Sequence, residues 1–196
     1  MRKVVVASNN QKKLNELRHS LPPSFELLPG SDFNLDSPAE TGTTFVENAI
    51  IKARHACRVT GLAAIADDSG LEVDYLKGAP GIYSSRYAGV LATDAENNHK
   101  LLAELEGVKK EHRTGRFRCV IVMLRHELDP MPVVATGTWE GEILTRNQGH
   151  NGFGYDPLFL VPELGISAAQ LTPQHKNKLS HRGQAITRLQ KLINSQ

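Results

Sequence analysis

Three of the chain's Ser/Thr-x-x-Gln/Glu spacings stand where a helix-period run of apolar residues begins: Ser8 with Gln11, Thr44 with Glu47, and Thr93 with Glu96. In such a capping box the hydroxyl accepts from the third helical N–H, while the acid or amide side chain reaches back to the cap's own N–H. Behind the first box come Leu14, Leu17 and Leu21, stopped by Pro22-Pro23. Behind the second come Val46, Ala49, Ile50, Ala53 and Cys57, stopped by Gly61; behind the third, Leu101, Leu102 and Leu105. A closing helix over residues 180–193 would bury Ala185, Ile186, Leu189 and Ile193. Residues 4–7 and 62–66 are short continuous apolar runs, the pattern of strands covered on both faces. Capped helices alternating with buried strands predict an α/β fold.

From Arg116 the pattern changes. Residues 116–125 and 131–139 are β-rich runs joined by residues 126–130, which predicts an antiparallel pair, and residues 157–161 read as one more strand. Residues 78–89 are rich in turn formers and read as a loop. The sheet is therefore expected to be mixed. A chain of 196 residues without repeat, low-complexity tract or long linker suits a single domain, 1–196, with at most two lobes.

The charge balance excludes one class of partner. With 23 Lys and Arg against 21 Asp and Glu, and no basic block, the chain lacks the footprint of a non-specific nucleic-acid binder. Residues 4–7 form too short an apolar run for a signal-peptide core, and no segment approaches the length of a membrane span. Cys57 and Cys119 lie far apart without a CxxC spacing, as expected of buried free thiols in a reducing cytoplasm. A soluble, cytoplasmic protein is the expectation.

Any role for charge must then come from a few placed residues. Lys12 and Lys13 follow the first strand at the start of a helix, where cations oppose the helix dipole. A bound anion would reverse that sign, and plain solvation of both lysines is the other reading. No GxxxxGK[ST] occurs, so this is not a P-loop. Glu40, Glu47, Asp67 and Asp68 form an acidic set. Glu47 reads best as a helix cap, whereas one of the two aspartates, placed at a strand end, suits Mg²⁺. Because side chains alternate along a strand, only one of that pair enters a given site. Phe153, between Gly152 and Gly154, either offers an exposed ring to a flat ligand or packs into the core. Lys176, His181 and Arg182 gather three cationic or titratable groups around the start of the last helix, and His126, His150 and His175 show no metal-ligand spacing.

Taken in order, six segments resemble the Ham1/RdgB family of inosine/xanthosine triphosphate pyrophosphatases. They are Ser8-x-Asn10-x-x-Lys13, the run from Glu40-Thr41-Gly42 through Lys52-Ala53, Ala66-Asp67-Asp68-Ser69-Gly70-Leu71, Gly78-Ala79-Pro80-Gly81 through Arg86-Tyr87, Gly152 through Pro157, and Leu179-Ser180-His181-Arg182-Gly183. Many members carry Gly where Asn9 and Asn151 stand here. The resemblance implies an elongated mixed sheet flanked by helices, with two lobes and an active-site cleft, and a homodimer. It implies Mg²⁺-dependent cleavage of hypoxanthine and xanthine nucleoside triphosphates (ITP, dITP, XTP) to the monophosphate and pyrophosphate. By position, Asp68 corresponds to the general base and, with Glu40, to the metal-associated carboxylates. Ser8, Asn9, Asn10, Gln11, Lys12, Lys13, Lys52 and Ser69 correspond to triphosphate-binding groups. Phe153, Gly154, Tyr155, Asp156, Lys176, His181 and Arg182 correspond to the nucleoside pocket. The alternatives are a nucleotide pyrophosphohydrolase of other base preference and a non-catalytic nucleotide sensor.

Overall fold

Thr44 and Thr93 do start helices, and both boxes close in both directions. Helix α1, Phe45–Thr60, opens with Glu47 N–H donating to Thr44 Oγ1 at 3.3 Å, while Glu47 Oε2 accepts from Thr44 N at 2.9 Å and Thr43 N at 2.8 Å. It ends at Gly61, whose φ of 68° is easy only for glycine and turns its N–H back onto Cys57 O at 2.9 Å. Helix α2, Asp94–Glu104, repeats the box with Thr93 and Glu96. The computed structural model describes residues 2–8, 14, 17, 18, 21 and 23–195. Within the first expected helix Leu14, Leu17 and Arg18 are helical, and Gln11 lies outside the described residues. Two further helices, α3 (Pro173–Leu179) and α4 (His181–Asn194), close the chain.

Seven strands form a mixed sheet. They are β1 Arg2–Val6, β2 Phe25–Pro29, β3 Ala63–Val73, β4 Thr114–Leu124, β5 Val133–Ile143, β6 Phe159–Val161 and β7 Ile166–Ser167, in the order β2-β1-β3-β4-β5-β6-β7. Strand β1 is parallel to β2 and β3, whereas β6 is antiparallel to β5 and β7. The chain divides into two compact units.

The first unit is Met1–Asp68, Cys119–Gly137 and Gln184–Gln196. Its central strand segments, residues 4–6, 63–66 and 119–124, are buried on both faces, as the continuous apolar runs require. Val4, Val6, Ile65, Cys119, Ile121 and Met123 pack with Ala185, Ile186 and Leu189 of α4. The intervening residues Val5, Ala64, Ala66, Val120, Val122 and Leu124 pack with Ala49, Ala53, Ala56 and Cys57 of α1. The helix therefore lays a small-residue stripe against the pleat, and period-2 alternation decides which helix each strand residue meets.

The second unit is Ser69–Arg118 and Thr138–Gly183. Here the strands bury one face only, with Leu71, Val73, Phe117, Trp139, Ile143 and Phe159 packed against Leu101 and Leu105 of α2. The other face carries an ion-pair ladder. Arg116 reaches Asp74 at 2.8 Å and Glu140 at 2.9 Å, and Arg118 reaches Glu72 at 2.9 Å.

Three expectations change. The strand read over residues 62–66 runs on to Val73, so Asp67 and Asp68 lie inside β3 rather than at its end. Polar residues persist there because each finds a tertiary partner. Of residues 157–161, the first two belong to a 3-10 turn, Asp156–Leu158, and only Phe159–Val161 pair as a strand. Strands β2 and β7 were not anticipated: β2 ends in proline with Leu27 its one fully buried side chain, and β7 has two residues.

Candidate active site

Alternation along β3 separates the two aspartates. Asp68 shares the parity of Ala64 and Ala66 and faces α1, while Asp67 takes the opposite parity. Lys52 of α1 donates to Asp68 Oδ1 at 2.7 Å and to Glu40 Oε1 at 3.0 Å, so one ammonium joins the carboxylates of a strand and a loop. Asp68 is 9% exposed. Its second oxygen, Oδ2, is buried and has no hydrogen-bond partner among the described residues.

Burial is the largest influence on both members of this pair, and it acts against their charges. It lifts the Asp68 pKa above the usual carboxylate value; Lys52 pulls it back only in part, and Glu40 and Asp67 add repulsion. For Lys52, burial is outweighed by Asp68, Asp67 and Glu40 together, which hold its pKa above the ordinary lysine value. A buried carboxylate oxygen without a donor is costly to keep. An oxygen-seeking cation, or a water about to lose a proton, would satisfy it. Glu40 is the second oxygen donor at hand. Among the described residues no three His, Cys, Asp or Glu side chains converge. This set therefore suits a hard divalent cation that takes one or two protein carboxylates and completes its shell with water and phosphate oxygens.

Ser8 lies beside the cluster. With Lys52, His55, Leu35 and Asp36 it lines a hollow of about 30 Å³, room for roughly one water. His55, one turn beyond Lys52, contacts Asp36 Oδ1 through Nε2 at 2.7 Å, and Arg58 lies 3.0 Å from its Nδ1. The pair with His55 holds the Asp36 carboxyl below the usual range. Asn9, Asn10, Gln11, Lys12 and Lys13, expected to bind phosphates, lie outside the described residues. Glu47 is a helix cap, as expected; its bonds to Thr44 and Thr43 lower its pKa.

The second unit holds another cluster. Phe153 is 43% exposed, so the exposed reading of its ring is the correct one. The Lys176 ammonium stands 4.7 Å from the ring centroid. Asp156, buried, accepts from Phe153 N at 2.9 Å and from Lys176 Nζ through the same oxygen, Oδ2. Gly152 is obligatory in this turn: its φ is 80°, and a Cβ there would sit 2.0 Å from Asp156 Oδ2. The Tyr155 side chain, expected in the nucleoside pocket, belongs to the core, with its hydroxyl donating to Ser84 O at 2.8 Å. Ser84 in turn accepts from Leu71 N at 2.9 Å, which ties this loop to β3.

The start of α4 completes the set. Arg182 Nη2 donates to Ser69 Oγ at 3.0 Å, and the His181 ring stacks on Phe117 with centroids 4.8 Å apart. Gly183 allows this start, since a Cβ would lie 1.7 Å from Asn177 O of α3. His126, His150 and His175 are exposed, and both cysteines are buried thiols outside any disulfide. An open hollow of about 650 Å³ bordered by Ala88, Leu91, Ala92 and His99 holds none of the expected residues.

A family model described as the Ham1 family matches residues 4–192. The chain belongs to the Ham1 family. Among curated Ham1 relatives, a Vibrio parahaemolyticus protein named dITP/XTP pyrophosphatase is 60% identical over 190 residues, covering 96% of this chain and 95% of its own. One from Vibrio cholerae with the same name is 55% identical and covers 100% of this chain and 98% of its own. Among solved structures, a Ham1 protein from Coxiella burnetii superposes with a TM-score of 0.96 at 49% identity, covering 100% of both chains. That from Staphylococcus aureus gives 0.91 at 42% identity over 99% of each.

Within this Ham1 chain, the sequence reading passed over several polar residues that hold the clusters. Asp36, His55 and Arg58 tie the loop carrying Glu40 to α1. Asp94 and Asn98 of α2 bond to Gly154. Spacing along α1 could have found His55, three residues after Lys52 on the same face. Nothing local marks Asp94, which reads as an ordinary acid in a first helical turn.

Proposed function

We propose that this chain hydrolyses hypoxanthine and xanthine nucleoside triphosphates, ITP, dITP and XTP, to the monophosphate and pyrophosphate. One observation carries the reading: a buried Asp68 with one oxygen on Lys52 and the other without a donor among the described residues. The names of the relatives point the same way. Asp68 Oδ2 takes the proton of the attacking water, and burial, which raises its pKa, makes it a stronger base than an ordinary carboxylate. Lys52 neutralises phosphate charge while holding Asp68 in place. Ser8, Ser69 and residues 9–13 are assigned to the remaining phosphate oxygens.

Asp68 and Glu40 would hold Mg²⁺, which when bound withdraws charge from the phosphate oxygens. Phe153 presents its ring to the purine, with Lys176 beside it and Asp156 fixing both. Arg182 and His181 are assigned to the 6-oxo group that distinguishes hypoxanthine and xanthine from adenine. A site whose donors are left unpaired by an amine rejects it strongly.

The domain is proposed to act as one enzyme in a cytoplasmic homodimer, using small nucleotides rather than nucleic acid. Among the described residues no helix is long and apolar enough to cross a membrane. The test is kcat/KM for ITP, XTP, GTP and ATP with and without Mg²⁺, with product analysis. Pyrophosphate as product and a preference for ITP and XTP are expected. Orthophosphate as first product, or ATP preferred, overturns the reading.

A further inference from the structure

We infer that Asp94 and Asn98, on successive turns of α2, are positioning residues for the base-recognition loop and thereby set base affinity and selectivity. The inference rests on the proposed role of Phe153. Asp94 Oδ2 accepts from Gly154 N at 2.6 Å, and Asn98 Nδ2 donates to Gly154 O at 2.9 Å. These two groups belong to the peptides on either side of Gly154, so the pair fixes both planes around the residue with the greatest backbone freedom. Gly154 has a φ of 60°, and its neighbour Phe153 carries the exposed ring. Without the clamp, ordering this stretch on a ligand would cost backbone entropy.

Among the described residues, the Asn98 amide makes no other hydrogen bond. It is buried, and its Oδ1 lacks a hydrogen-bond partner among the described residues. Reversing the amide would set that oxygen against Gly154 O, so the bond to Gly154 fixes its orientation. Asn97 shows the contrast: it accepts from Ala88 N at 2.8 Å and donates to Ser85 O at 3.2 Å, bracing the preceding loop instead. One helical start thus holds two loops, and only the Asp94–Asn98 pair, four residues apart on one face, addresses the Phe153 turn.

The test uses the full chain with Asp94→Ala, Asp94→Asn, Asn98→Ala and Phe153→Ala, assayed on ITP and ATP, with inorganic tripolyphosphate as a competitive probe of phosphate binding alone. Losing one such bond and leaving Gly154 unpaired is worth about tenfold in affinity. Asp94→Ala and Asn98→Ala are expected to raise KM for ITP about tenfold while kcat and the tripolyphosphate inhibition constant hold, so ITP loses ground to ATP. Asp94→Asn keeps an oxygen acceptor and should recover most of the KM. Asp94 is exposed, so its variants remain informative if Asn98→Ala folds poorly. KM unmoved in Asp94→Ala and Asn98→Ala but raised in Phe153→Ala overturns this inference alone. KM unmoved in Phe153→Ala overturns the base-loop role and the inference with it. Tripolyphosphate binding lost in parallel with ITP would assign the pair a general structural role and overturn positioning.

Discussion

Asp68→Asn is expected to cut turnover at least a hundredfold without destabilising the fold, because the carboxylate proposed as the base is a burden to the folded chain. The substitution keeps the shape. An amide oxygen can still accept from Lys52, now 2.7 Å from Oδ1, and Lys52 keeps Glu40 at 3.0 Å. The new NH₂ then replaces Oδ2, the buried oxygen that lacks a hydrogen-bond partner among the described residues. A donor stands where the base was, and general-base catalysis is typically worth about 10²–10⁴ in rate. Stability runs the other way. Burial dominates Asp68 and holds its pKa above 3.8 in the fold, so ionisation costs stability as pH rises past 3.8, in full above the folded pKa. Asparagine removes that cost at neutral pH and loses one charge-assisted bond to Lys52. The two changes offset to within about 1 kcal/mol, a Tm shift of about 2–4 °C in a chain of this size. Pyrophosphate release on ITP and thermal melts at pH 7.5 and 4 provide the measurements. The expected result is kcat down at least a hundredfold, Tm equal to the parent's or higher at pH 7.5, and any advantage shrinking at pH 4. Turnover within tenfold of the parent refutes the role of Asp68, and a Tm loss above about 8 °C refutes the electrostatic argument.

Lys52→Met leaves two carboxylates without their shared cation; it should cost about 2–3 kcal/mol, more at pH 8 than at pH 5 because the stranded acids regain protons in acid. Adding Asp68→Asn should restore part of the loss in denaturant titrations, and an additive further loss would count against the pairing. Gly152→Ala forces a Cβ into Asp156 Oδ2, so the KM for ITP should rise together with a stability loss of about 1–3 kcal/mol; wild-type values for both would show that the turn tolerates a side chain. Burial pushes the Cys57 thiol up to about 11, which leaves roughly a hundredfold less thiolate at pH 8 than the ordinary value of 9.0 would. Native protein should therefore leave Cys57 unlabelled by a thiol reagent under conditions that label it in urea, as peptide mass analysis would show.

What could be read from the sequence was what is decided locally. Thr44 and Glu47 make a helix start over three residues, and Gly61 stops it, so both ends of α1 were legible. The continuous runs of β1 and β3 announced burial on both faces because alternate residues meet different helices. Asp67-Asp68-Ser69-Gly70 misled for the opposite reason. Taken alone it is a turn sequence, and it stays extended because Lys52 takes Asp68, Arg182 takes Ser69 and Ser84 takes Leu71 N. Those partners lie from 13 to 113 residues away, beyond any local pattern.

The same distinction explains why net charge said so little. Arg116 and Lys52 each bind more than one acid, and nothing in their neighbours along the chain tells them apart. Arg116 spends itself on Asp74 and Glu140 on an open sheet face, where ion pairs are screened and contribute little. Lys52 sits where burial opposes every charge, and the surrounding carboxylates outweigh that burial and hold its pKa above the ordinary lysine value. A buried cation tied to a carboxylate with an oxygen still to satisfy makes sense if a further charged group arrives. Glu40, Lys52 and Asp68 carry a net charge of −1, so one divalent cation turns the cluster positive and receptive to a polyphosphate. Arg116, whose partners are complete without a ligand, can be replaced together with them by neutral residues. The role proposed for Lys52 predicts that it cannot, which would separate a functional cation from a structural one in a chain whose total is +2.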